Sequence, residues 1–215
     1  MALAMLSDDA QTMLIRPAAT TVLWRDGRHG PEVLMGQRGA QAAFMPSKYV
    51  FPGGAVDEAD EGAHLGIALH PDCDARLRMN CPPNAPTPDT LAVAALREQW
   101  EETGLRFAAA PHQDRGLRFI FRAITPPGRS RRFDARFFLA NAAWIAGSPD
   151  DFSGASGELS HLHWIGLSNA RSLDLPFITE VVLSEISHLL RGGSDAAGVP
   201  FFDNSGTVPT FRRLA

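Results

Sequence analysis

Arg97-Glu98-Gln99-Trp100-Glu101-Glu102-Thr103-Gly104-Leu105 closes the stretch around which this chain is organised, and Phe51-Pro52-Gly53-Gly54 opens it. The closing piece gathers three carboxylates into little more than one helical turn. Asp89 to Thr103 reads as a helix. Asp89 or Thr90 can cap its start, alanine and leucine fill its body, and Gly104 ends it. On that helix Glu98 and Glu102 are i,i+4 neighbours and Glu98 and Glu101 are i,i+3 neighbours, so all three acids face one sector.

The arrangement is unfavourable if it is only structural. Like charges at i,i+4 destabilise a helix by about 0.2–0.5 kcal/mol. Acids in the last turn also oppose the negative end of the helix dipole, at about 0.3–1 kcal/mol each. Arg97, four residues before Glu101, offsets part of this. A cluster that breaks local rules points to an outside partner. For three carboxylates that partner is a hard divalent cation such as Mg²⁺ or Mn²⁺. The bland alternative is a solvated acidic face.

Together the two pieces resemble the signature of the Nudix hydrolases, Gx5Ex7REUxEExGU with U aliphatic. Arg97-Glu98, Glu101-Glu102 and Gly104-Leu105 match its closing half, and Gly54 matches its opening glycine. Two departures stand out. The signature is split by an insertion of about residues 60–88, so the family's first Glu falls on Asp60 counting forward and on Asp89 counting back. Either acid can hold Arg97, and Asp89, contiguous with the helix, is the favoured one. The aliphatic position within the helix is Gln99.

Such an insertion resembles the branch that cleaves coenzyme A and acyl-CoA. A looser likeness runs through Gln37-Arg38-Gly39, Phe44-Met45-Pro46-Ser47 and Val50 to Gly54. The resemblance implies an α/β (α+β) fold: a Nudix-type α/β/α sandwich with a mixed β-sheet and a catalytic loop-helix-loop. It implies a metal held by Glu98, Glu101, Glu102 and a carbonyl at Gly54. The general base is Glu98, Glu101 or Glu158, the last lying six residues before Trp164. Arg97 orients Glu101 and its upstream acid without touching substrate.

The implied reaction is hydrolysis of a nucleoside diphosphate linked to another moiety. CoA or acyl-CoA, giving 3′,5′-ADP and (acyl-)phosphopantetheine, is the first expectation. An ADP-ribose, nucleotide-sugar or dinucleotide pyrophosphatase is the alternative within the enzyme class, and a catalytically silent ligand-sensing domain is the alternative outside it. Intact Glu98, Glu101 and Glu102 argue against a silent domain, because a pure binder has no need of three mutually repelling acids.

Composition narrows the field. At 215 residues the chain reads as one domain, with 45% apolar and 20% charged residues. The net charge of −4 gives no basic field for nucleic acid. No apolar run reaches the roughly 20 residues of a membrane span. Cys73 and Cys81 are too few for a disulfide framework, and the N-terminus lacks a signal-peptide pattern, so a cytoplasmic setting is expected. The resemblance leaves room for a homodimer, but the sequence identifies no surface for one.

Residues 1–16 read as a leader helix or arm. Ala18–Asp26 and Glu32–Arg38 read as a hairpin. Residues 48–56 read as a third strand interrupted by Gly53-Gly54. Within the insertion, 61–69 reads as a short helix, the Pro-rich remainder as a loop, and the whole as a surface lobe. Short strands follow at 105–110, 117–125, 133–141 and 158–165, then a helix over 176–191 and an extended pair around Asn204-Ser205-Gly206. The second hairpin is rich in arginine, the side chain suited to phosphate. Arg122 and Arg132 are the candidates there, with Arg38 and Phe44 from the upstream segment completing the candidate substrate contacts.

Overall fold

In a computed structural model, residues 14–64, 69–108, 116–194 and 196–215 are described. The elements are β1 (Ile15–Gly27), β2 (Gly30–Arg38), β3 (Tyr49–Val50), β4 (Gly53–Ala55), α1 (Cys73–Arg78), α2 (Pro88–Thr103), β5 (Arg118–Ile124), β6 (Arg132–Asn141), β7 (Leu159–Gly166), α3 (Phe177–Leu190), β8 (Val199–Asp203) and β9 (Thr210–Leu214). Most of the expected leader segment and parts of the expected elements at 61–69 and 105–110 lie outside the described residues.

One mixed sheet runs β3-β2-β1-β6-β5-β8-β9, with β4 also paired to β1 and β7 to β2. The pairs β1–β6 and β5–β8 are parallel, and the other strand pairs are antiparallel. The sheet is covered on both faces, as the alternation of its strands dictates. Leu23, Phe138 and Ala140 pack with α1 and α2 on one side. Val22, Phe137 and Leu139 pack with Val182, Leu183 and Ile186 of α3 on the other. The expected α/β/α sandwich with a mixed sheet is therefore the fold. No helix among the described residues is long and apolar enough to cross a membrane.

Helix α2 is buried along most of its length, from Thr90 through Leu96 and again at Gln99, Glu102 and Thr103. Its cap is Thr87, not Asp89 or Thr90. The Thr87 side chain accepts from the Thr90 N–H at 3.2 Å, with Pro88 filling the first turn. Gly104 ends it in the left-handed region at φ 76, and an added Cβ there would meet the Gly154 backbone at 2.7 Å. The Thr21 hydroxyl donates to the Ala95 carbonyl at 2.9 Å and so fixes the helix against β1.

Two further expectations change. The strand over 48–56 breaks at Phe51-Pro52 rather than at the glycines, so that β3 joins β2 while Gly53-Gly54 join β1. The insertion is not a surface lobe. It contains α1, whose Cys73 and Leu77 enter the same core as Leu91 and Phe119.

Candidate active site

The site is built where β4 passes under α2. Gly54 lies so close to the helix that a Cβ would fall 2.4 Å from Glu98 Oε1. Only a glycine leaves that carboxylate its place. One residue earlier, the Gly53 N–H donates to Glu102 Oε2 at 2.8 Å. The glycine pair thus receives both acids of the i,i+4 pair.

Arg97 organises the outer edge. Its Nε and Nη2 grip Asp60 at 2.7 and 3.0 Å, and Nη2 also donates to the Ala55 carbonyl at 3.0 Å. Its Nη1 reaches Glu98 at 3.0 Å and Glu101 at 3.1 Å. Asp60 is 1% exposed and sits in a short 3-10 turn, Glu58–Asp60, where its side chain also accepts the Asp57 N–H. The expected preference for Asp89 is overturned: Asp89 lies in the first turn of α2, and the acid that holds Arg97 is Asp60. Hydrogen bonding to Asp60 raises the Arg97 pKa further above its already high ordinary value.

The carboxylates differ in environment. Glu102 is 2% exposed, and burial pushes its pKa up to about 8, with the charges of Glu98 and Glu158 adding to the rise. The Gly53 N–H and the charge of Arg38 act against it. Glu98 is also raised, first by burial, with Glu101 and Glu158 contributing and Arg97 opposing. Glu158 is exposed yet near enough to act on both acids. Its loop is docked on the end of α2, where the Ser156 N–H donates to the Glu101 carbonyl at 2.8 Å. Glu101 is half-exposed on the Arg97 side.

Among the described residues, no three carboxylate, imidazole or thiol groups converge into a ready-made metal cage. The donor set nevertheless fits Mg²⁺ or Mn²⁺. Buried Glu102 and half-buried Glu98 repel each other and feel a third acid, Glu158, Glu102 has no ion-pair partner among the described residues, and Mg²⁺ takes only one or two protein carboxylates while keeping several waters.

The other sequence candidates separate. The Arg38 side chain makes no hydrogen bond among the described residues, and its Nε is buried. Phe44 packs edge-on against Phe133 at 5.2 Å in the loop after β2. Arg122 and Arg132 do not serve as free phosphate ligands. Arg122 is 2% exposed, forked onto Asp134 at 2.8 and 2.7 Å, and bonded to the Met79 and Asn80 carbonyls. Arg132 is buried and donates to the Thr125 and Asn204 carbonyls. Gln99 does not weaken its face of α2. Its amide donates to Thr103 Oγ1 and to the Leu105 carbonyl, both at 2.9 Å, and latches the helix end. The Gly53 N–H and the Asp60 fork were legible only as a glycine pair and one of two acids at family spacing.

A glycine strand feeding a helix of clustered acids, inside a two-sided mixed sheet, defines the Nudix class of fold. No family model matches the chain. A Nudix hydrolase structure from Alicyclobacillus acidocaldarius superposes with a TM-score of 0.56 at 29% identity, covering 80% of this chain and 91% of that one. The Nudix domain of Shewanella oneidensis NrtR, solved with ADP ribose, gives a TM-score of 0.53 over 86% of this chain and 94% of that one; at 14% identity this likeness concerns the fold alone. A Caenorhabditis elegans protein carrying the provisional name nudix hydrolase 7 is 38% identical over 73 residues, 34% of this chain and 17% of that much longer protein. In fold, and over part of its sequence, the chain is similar to Nudix hydrolases.

Proposed function

We propose that the chain hydrolyses the diphosphate bond of a nucleoside diphosphate derivative in a divalent-cation-dependent reaction, with CoA or acyl-CoA as the substrate. The observation that carries this reading is the placement of Glu98 and Glu102 against Gly53-Gly54. Glu98, Glu102 and backbone at Gly54 would hold Mg²⁺ or Mn²⁺, with Glu101 beside them. When bound there, such a cation would supply charge neutralisation for the diphosphate and a more acidic water. Glu158, exposed and close enough for its charge to act on both acids, would take a proton from the attacking water. Arg38 offers an unpaired guanidinium close to Glu102, suited to a phosphate oxygen. Arg97 holds Glu98 and Glu101 in place from Asp60.

The split signature and the Phe44-Met45 loop next to Arg38 favour the CoA branch. Products would be 3′,5′-ADP and (acyl-)phosphopantetheine in the cytoplasm. The test is product analysis by mass-resolved chromatography on CoA, acetyl-CoA, a long-chain acyl-CoA, ADP-ribose, NADH and a dinucleoside polyphosphate, with Mg²⁺ and with Mn²⁺. Preferred release of 3′,5′-ADP is expected. Preference for ADP-ribose or dinucleotides removes the CoA assignment. Unchanged turnover in Glu102→Gln removes the metal assignment.

A further inference from the structure

Helix α2 lines a cavity with a stripe that does not carry Glu98 and Glu102. Val93, Leu96, Arg97 and Trp100 fall at i, i+3, i+4 and i+7 and so share one side of the helix. Between this stripe, the start of the insertion at Ala59 and Ala63, and the segment from Leu105 to Phe107 lies a cavity of about 400 Å³. Small-molecule sites are about 300–1,000 Å³ and mostly apolar. Leu96, Leu105 and Phe107 supply apolar wall here. Trp100 and Arg106 are exposed members of the lining, and the Arg106 guanidinium lies over the Trp100 ring at 3.9 Å. Trp100 is 41% exposed, a large apolar surface to leave in water.

The same cavity holds an unmet acceptor. Gln99 is among its lining residues and is fully buried, yet its Oε1 has no hydrogen-bond partner among the described residues. The amide cannot turn over to relieve this. The Leu105 carbonyl only accepts, so Nε2 must face it, at 2.9 Å, and Oε1 is left on the other side. A buried acceptor without a donor is costly, and an N–H brought in from the cavity answers it. Aromatic walls, a guanidinium plane and a lone amide oxygen are the groups that receive a nucleobase. Bases stack on aromatic rings and on arginine, and an amino group donates to an amide oxygen.

We propose that this cavity is a second binding site, for a flat heterocycle carrying an amino group, the chemistry of adenine. The ring lies against Trp100 and Phe107, and the amino group donates to Gln99 Oε1. The site lies outside the proposed metal site and calls for neither a diphosphate nor a cation. Arg97 lines this cavity while it grips Asp60, Glu98 and Glu101, so an occupant sits beside the side chain that positions two of the acids.

The test is titration of the full chain with adenosine, without added cation, followed through the indole N–H resonances of the four tryptophans. The Trp100 resonance is the one missing from Trp100→Phe. It is expected to shift saturably, while those of Trp24 and Trp164 stay in place. By calorimetry, Trp100→Ala is expected to bind adenosine at least about tenfold more weakly, the loss of one stacking platform. Purine riboside, which lacks only the amino group, is expected to bind the natural chain at least about fivefold more weakly than adenosine. No saturable Trp100 shift up to about 5 mM adenosine, a weaker affinity than a specific site gives, overturns the proposal. So does a shift confined to another tryptophan, or equal affinity for adenosine and purine riboside. The first titration uses the natural chain and depends on no variant. Adenosine has no phosphoanhydride bond to cleave, so failure of the hydrolase reading leaves this result standing, and the reverse holds too.

Discussion

Arg97 and Asp60 stand 37 residues apart in sequence and meet through two parallel hydrogen bonds of 2.7 and 3.0 Å. The bridge spans the whole insertion and ties the strand side of the site to the acid-bearing helix. Asp60→Asn keeps the shape and removes the charge that Arg97 leans on, freeing Glu98 and Glu101 from their fixed positions. Turnover is expected to fall about 10–100-fold, the usual cost of losing a group that orients ligands. Asp89→Asn is expected to leave turnover unchanged. Steady-state kinetics on the two variants side by side make the comparison.

The two glycines predict opposite outcomes. In Gly54→Ala the added methyl meets only the end of the Glu98 side chain, which can swing away. Activity and metal binding are expected to drop steeply with little change in melting temperature. In Gly53→Ala the methyl meets the Ala19 carbonyl and the Thr20 Cα, both backbone, at 2.6 Å. That strain costs about 1–3 kcal/mol and appears as a lower melting temperature. Thermal melts with kinetics on both variants distinguish these outcomes.

The raised pKa of Glu102 sets a pH dependence. The folded chain binds this proton more tightly than the unfolded chain, with a pKa of about 8 against an ordinary 4.5. The resulting stabilisation is complete below about pH 4.5 and is lost as pH rises through about 8. Without added metal, the melting temperature should decline across that window. Glu102→Gln should flatten the decline. Mg²⁺ or Mn²⁺ should bind more tightly as pH rises and release protons on binding, measurable by calorimetry in buffers of different ionisation enthalpy.

Arg38 and Arg122 separate function from support. Arg38→Met removes an unpaired guanidinium, so a higher KM with an unchanged melting temperature is expected. Arg122→Met leaves Asp134 paired with Arg136 alone and takes the guanidinium donor from the Met79 and Asn80 carbonyls, a loss expected to cost about 1–3 kcal/mol. Chemical denaturation of the two variants reads the contrast.

Much of this was legible in the sequence because the relevant chemistry is local. Helix α2 announced itself through alanine and leucine between a capping region and Gly104, and its acid triad through i,i+3 and i,i+4 spacing. What failed was long-range. Counting along the chain cannot choose between Asp60 and Asp89, because the insertion returns Asp60 to the helix in space. Strand alternation placed half the arginines of the second hairpin on one face, but not which face was covered. The insertion's Met79 and Asn80 and the pairing of β5 with β8 bury Arg122, and neither is encoded near it. Gln99 read as a weakened apolar position because its partner, the Leu105 carbonyl, exists only once the helix has ended.

The embedding of α1 bears on how this chain can be edited. Surface insertions can usually be trimmed or exchanged as cassettes. Here Cys73 and Leu77 fill the core beside Leu91, and Arg122 grips the turn that follows. Joining Asp60 directly to Thr87 to recover an uninterrupted signature would open a void over the sheet and leave Arg122 half-partnered. The interruption is an integral part of this architecture, and a graft of the catalytic helix into another scaffold would have to carry it along.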